Sequence, residues 1–162
     1  MVGRGASLPE AFAQVALGLF ALLVDPAAVE ERDAREVRAH GTVPETLLVN
    51  WLNECLYVLD VEGFVARRVE FTIFALDPVA PGGEPLRLHS RLHGEDLDPA
   101  RHVSRETVRG ISAEGAAVIH VGRGHVGRGH VGGGQVRGGE VGDGSEARVI
   151  LEGGDGPSAW SK

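Results

Sequence analysis

The chain has 162 residues, 43% of them apolar, with 16 Lys and Arg against 23 Asp and Glu and a single cysteine. That length and apolar content suit one domain with a real core, and a lone cysteine excludes an intrachain disulfide. A formal net charge of −7 excludes a general phosphate-binding surface and leaves room only for a local basic patch.

Ser7-Leu8-Pro9-Glu10 reads as a capping box, in which Ser7 caps a helix and Glu10 returns a bond. From Ala11 to Val24 the sequence is apolar nearly all round, and Asp25-Pro26 ends it. A membrane span needs roughly 18 or more apolar residues, and this run is shorter. Glu10 and Asp25-Pro26 also stand where a secretory signal needs an uninterrupted approach and small cleavage-site residues. The segment is therefore read as a buried core helix in a cytoplasmic protein. Residues 25–43 are charged and irregular and read as a connector, with Glu30 to Glu36 able to form a solvated helical turn or two.

Between Val43 and Phe64 the period is helical. Leu47, Leu48, Trp51, Leu52, Cys55, Leu56, Val58 and Leu59 fill one half of the wheel, while Asn50, Asn53, Glu54 and Asp60 fall on the other with Val49 and Tyr57. Pro44 and Glu45 suit the first turn and Gly63 the stop. Cys55, central on the apolar face, reads as a core residue and not a nucleophile. Asn50, Asn53, Glu54 and Tyr57 read as a solvated face.

After Gly63 the period shortens. Val69, Phe71 and Ile73 alternate with Arg68, Glu70 and Thr72 in a half-buried strand over Phe64 to Leu76. A turn-rich loop over Asp77 to Pro85 follows. Leu86, Leu88, Ser90 and Leu92 then alternate with Arg87, His89, Arg91 and His93, giving a second strand with a basic outer face and, with the first, an antiparallel hairpin. That face reads as solvated, with docking to an acidic partner or an RNA backbone as the sharper alternative.

Residues 121–145 are five pentapeptides beginning Val-Gly-Arg-Gly-His and hold 11 of the 24 glycines. Ordering them would forfeit backbone entropy for one buried valine per repeat, so 120–145 reads as a low-complexity insertion. His120, His125 and His130 recur in it without fixed second ligands, a weak metal motif. Ala147 to Leu151 reads as a last strand, and 153–162 as a loose tail. No Ser-His-Asp arrangement, CxxC pair, HExxH or phosphate loop occurs, which leaves no nucleophile–base pair to name. The elements together predict an α+β fold, two core helices packed on a mainly antiparallel β-sheet.

Ser7-Leu8-Pro9-Glu10-Ala11-Phe12, Gly18-Leu19-Phe20, the helix from Leu47 to Leu59, and Leu92 to His102 (His93-Gly94-Glu95 and Asp98-Pro99-Ala100-Arg101-His102) resemble the archease family in order and spacing over residues 3–119, with an echo at 146–152. The resemblance implies a two-layer sandwich comprising 1–119 with its first strand missing, then 146–152 as the final strand. It also implies a non-catalytic activator of the RNA-splicing ligase in tRNA splicing and RNA repair. Such a protein promotes guanylylation and turnover of the ligase through a divalent metal, calcium in the family, and serves tRNA indirectly without a membrane. The family's His-Thr-Ala-Asp strand has no counterpart, since only Met1 to Arg4 precede Gly5 and the first aspartate is Asp25. The remaining metal donors implied are Glu152, in place of an aspartate, and the Gly153 backbone. Arg109, in place of a lysine, is the implied partner-facing residue. A degenerate inactive family member and an RNA-contacting adaptor remain as alternatives.

Overall fold

The computed structural model describes residues 1–76, 86–103, 108–121 and 144–153, with Arg109, 119–121 and 151–153 described by their backbone alone. The loop 77–85, most of the pentapeptide tract (122–143) with His125 and His130, and the tail 154–162 lie outside the described residues. Two helices, α1 (Leu8–Leu23) and α2 (Pro44–Glu62), accompany six strands: β1 (Val2–Gly5), β2 (Asp33–Gly41), β3 (Phe64–Ala75), β4 (Leu86–Asp96), β5 (Val108–Val121) and β6 (Gly144–Gly153). The α+β expectation holds, but the strands divide into two three-stranded sheets, β1-β6-β5 and β2-β4-β3, in which every pairing is antiparallel. Each helix touches both sheets, α1 through β3, β1 and β6, and α2 through β2 and β5.

The start of α1 follows the capping logic with one change. Ser7 Oγ accepts from the Glu10 N–H at 3.3 Å, while Glu10 reaches back one residue further and accepts from Ala6 N–H at 2.6 Å. The apolar face of α2 is buried as its periodicity predicts, and Gly63 ends the helix in the left-handed conformation at φ 63°. Val49, on the nominally wet half, is buried as well. Between the helices and the β2-β4-β3 sheet lies an aromatic cluster. Trp51 stacks on Phe12 at 6.3 Å and tilts against Phe71 at 5.2 Å, and Phe74 packs edge-on to Phe12 at 5.1 Å. The Trp51 indole N–H donates to Ser90 Oγ at 2.8 Å, and that hydroxyl donates to Val37 O at 3.3 Å. The one polar side chain on the inner face of β4 is thus satisfied where it is buried.

Three expectations are corrected. Residues 2–5 do form an opening strand, paired with 145–148 of β6, so the domain is not short of its first strand, although that strand lacks the family's wording. Gly3 lets this strand lie close against α1, because a Cβ there would stand 2.6 Å from Val15 N. The connector over 25–43 contains β2, paired with β4 over nine register positions. Its Ala, Arg and Glu favour a helix locally, and pairing with a formed neighbour overrides that preference. Finally, register shifts at Ala66/Arg68 and Phe71/Ile73 break the alternation of β3. The second turns Ile73 outward, 37% exposed, and Phe74 packs against the core instead.

Candidate functional site

Arg109 and Glu152, 43 residues apart in sequence, lie on neighbouring stretches of backbone where β5 and β6 pair. Val108 stands opposite Gly153 and Gly110 opposite Glu152, so Arg109 is the extra residue of a β-bulge between those two pairs. Bulges are enriched beside functional sites because they re-aim one position of an otherwise regular strand. The three residues implied by resemblance therefore lie together at one end of the β1-β6-β5 sheet. Their side chains are outside the described residues, as is that of His120.

The donors that the resemblance implies here are Glu152 and the Gly153 backbone, whereas calcium takes six to eight oxygens. β1 carries no carboxylate and runs beside 145–148, toward the other end of β6 from Glu152. Glu146, the other acid on β6, is bound to Arg4 at 2.9 Å and Arg148 at 3.0 Å. Among the described residues no three His, Cys, Asp or Glu gather as a metal site. A site filled at a hundredfold excess over Kd would add about 2.7 kcal/mol to stability. The expected result for this chain is the same Tm in calcium as in a chelator, checked by thermal denaturation.

The stretch from Gly94 to His102, where the family resemblance lies, forms a buried polar clasp whose chemistry no local pattern signals. Glu95, 4% exposed, accepts from Arg101 Nη2 at 2.8 Å, from the Glu30 N–H at 3.1 Å and from His102 Nε2 at 2.9 Å. Arg32 Nε stands 3.3 Å from its other oxygen. His102 Nδ1 accepts from the Asp98 N–H at 2.8 Å, which puts the ring proton on Nε2, facing the carboxylate. Burial would raise the Glu95 pKa. The hydrogen bonds from Arg101, Glu30 N–H and His102 outweigh it and hold the group at about 2. The clasp joins the end of β4 to residues 28–32 and to the turn at 98–102. A cleft of about 340 Å³ beside it is walled by Leu23, Leu59, Leu97 and Pro99, and its rim acids Glu62 and Asp96 are both engaged by Arg35, at 3.5 and 3.3 Å.

The wet face of α2 is less solvated than expected. Asn53 exchanges two bonds with the Ile111 backbone, donating at 3.3 Å and accepting at 3.0 Å, and so ties α2 to β5. Asn50 donates to His40 O at 2.9 Å, while Tyr57 is exposed. Cys55 is fully buried, and burial, with a smaller contribution from Glu54, pushes its thiol pKa far up. It is a core residue, unsuited to nucleophilic chemistry.

The outer face of the hairpin is only half basic. Glu36 of β2 and Glu70 of β3 flank Arg91, and Glu70 accepts from His93 at 2.9 Å. That bond, more than the nearby arginines, holds the Glu70 carboxyl below its ordinary pKa. Further along, β2 adds basic side chains: Arg38 stands opposite His89, and His40 opposite Arg87.

The model of the Archease protein family (MTH1598/TM1083) matches residues 1–128. Protein archease of Pyrococcus abyssi is 38% identical over 110 residues, covering 68% of this chain and 73% of the relative. The archease of Thermococcus gammatolerans has the same identity and coverage, and the archease-like protein of Drosophila melanogaster is 27% identical over 118 residues, 72% of this chain and 71% of its own. The fold is similar to the solution structure of Methanobacterium Thermoautotrophicum Protein 1598, with a TM-score of 0.59 at 21% identity over 93% of this chain and 89% of that one. With the family matched from β1 through β5 and the two helices and two sheets in place, the chain belongs to the archease family.

Proposed function

We propose that the chain is a non-catalytic activator of an RNA-splicing ligase, acting in the cytoplasm in tRNA splicing and RNA repair, and meeting tRNA through the ligase. The observation that carries this reading is the family match over residues 1–128. No helix among the described residues is long and apolar enough to cross a membrane, and the sole cysteine is a buried core residue. Activation here runs through protein contact at the β5–β6 end, with Arg109 as the partner-facing charge. A guanidinium brought to a nucleotide pocket offsets phosphate charge as the ligase histidine is guanylylated, and its planar fork binds phosphate with two parallel bonds.

The test is guanylylation of a purified RNA-splicing ligase by GTP, with and without the chain. The wild type is expected to stimulate, and Arg109→Ala to lose about tenfold of the stimulation, the equivalent of about 1.4 kcal/mol, with Arg109→Lys in between. Absence of stimulation by the wild type sinks the proposal. Stimulation by Arg109→Ala equal to the wild type removes Arg109 from it.

A further inference from the structure

Arg109 stands at a weak point of its strand. Beside it only Gly110, Ile111 and Ser112 pair with β6 in unbroken order, opposite Glu152, Leu151 and Ile150. The register shifts between Val108 and Gly110, and again between Ser112 and Ala117. Register is ordinarily set by side chains that must all face one way. In this short ladder Gly110 has no side chain and Ser112 a small one, so Ile111, 6% exposed, alone offers an apolar side chain to the core. A slip of one residue would move the bulge away from Arg109 and turn position 109 to the opposite face.

A residue of α2 holds this ladder from its open side. β5 is an outer strand of the β1-β6-β5 sheet, with β6 as its one strand neighbour. Asn53 Oδ1 accepts from the Ile111 N–H at 3.0 Å, and Asn53 Nδ2 donates to Ile111 O at 3.3 Å. A side-chain amide carries both an acceptor and donors, so it stands where the peptide of a further strand would stand. Successive residues of a strand turn their N–H and C=O to opposite edges. A one-residue slip would therefore leave the part-buried Asn53 amide without its partners, which is costly. Asn50, one turn earlier on α2, makes a comparable bond to the other sheet, donating to His40 O of β2 at 2.9 Å.

We infer that Asn53 is a positioning residue: by pinning Ile111 it fixes the register of β5, and with it the place at which the backbone presents Arg109. What Arg109 does there rests on the activator reading, in which its charge meets the ligase. Asn53 itself touches neither ligase nor nucleotide in this role and acts through Arg109. A charge already held in place needs no ordering when the partner arrives, which favours the contact. The helix thus supplies to the β5–β6 end the rigidity that its interrupted strand pairing lacks.

The experiment is a double-mutant cycle on the full chain in the guanylylation assay, joined to amide NMR spectra of the free protein. Asn53→Leu keeps the side-chain volume and removes both bonds. It is expected to lose about fivefold of the stimulation, the equilibrium weight of one ordinary hydrogen bond. Asn53→Asp, which keeps the acceptor and gives up the donor, is expected to lose less, and it carries the same comparisons should Asn53→Leu fail to fold. Combined with Arg109→Ala, Asn53→Leu is expected to add no further loss, because both changes remove one function, whereas a general structural role would multiply the losses to about fiftyfold. Asn50→Leu, the same chemical change toward the other sheet, is expected to stimulate like the wild type. In the spectra the amide signals of Arg109 and Gly110 are expected to shift or broaden in Asn53→Leu and to keep their places in Asn50→Leu. Cooperative melting well above the assay temperature confirms that each variant is folded. Stimulation by Asn53→Leu equal to the wild type, multiplied losses in the double variant, or unmoved Arg109 and Gly110 signals overturn the inference. Absence of stimulation by the wild type defeats the activator reading, and the spectra then decide this inference alone: moved signals uphold it and unmoved ones overturn it.

Discussion

Replacing Trp51 with alanine is expected to cost about 4 kcal/mol of unfolding free energy, the middle of the range for a large buried aromatic side chain. Trp51 is fully buried between Phe12 and Phe71, so its removal leaves a cavity where both helices and the β2-β4-β3 sheet converge. The substitution also deletes the indole donor to Ser90. Trp51→Phe separates these contributions. It keeps a ring in the cluster and loses only part of the volume and the hydrogen bond, itself worth about 1 kcal/mol. Ser90 keeps its bond to Val37 O, so no buried hydroxyl is stranded. Urea denaturation of the three proteins measures the ladder. A loss below about 1 kcal/mol for Trp51→Ala, against the usual 3–5, would mean that the aromatic cluster is not the centre of the fold.

Glu95→Gln is expected to lower stability by about 3 kcal/mol at neutral pH, as when one partner of a buried ion pair is removed. The amide would leave Arg101 and Arg32 without their carboxylate and set an NH₂ or a neutral oxygen against the His102 Nε2–H. The pH profile supplies a second test. The folded-state pKa of Glu95, about 2, lies below its ordinary 4.5, so the folded protein favours the ionised form. That stabilisation is fully present above about pH 4.5 and is lost as pH falls toward 2. Wild-type unfolding free energy should therefore fall more steeply than that of Glu95→Gln across that window, and the two curves should converge at the acid end. Parallel curves from pH 7 to pH 3 would rule out Glu95 as the acid-sensitive clasp.

Much of this was legible along the chain, and what was not has physical causes. The cap at Ser7, the apolar stripe of α2 and the glycine stop at Gly63 are local, each set by residues within a turn or two. The alternation in β4 survives because its central position forces one face inward and the other outward. β2 was hidden because its inward positions, Val37, Ala39 and Gly41, are small and its outward ones are charged, so it reads as solvated helix until β4 is there to pair with it. Ile73 was misplaced because a bulge shifts the phase without altering composition. Asn53 looked solvated because its partner, the Ile111 backbone, lies 58 residues away. Likewise Glu95 appeared as family wording, since nothing in sequence reveals that Glu30 N–H, Arg32, Arg101 and His102 converge on it.

By itself the sequence determined the two helices, the hairpin, the chemical indifference of Cys55 and the family, because capping, periodicity and residue order act over short spans. Tertiary structure alone decided that the strands form two sheets, that the backbones of Arg109 and Glu152 share one end of a sheet, and that β2 sets Arg38 and His40 against His89 and Arg87. The reason is that antiparallel register joins residues dozens of positions apart, and a charge gains its meaning from the neighbour opposite, which no local pattern encodes.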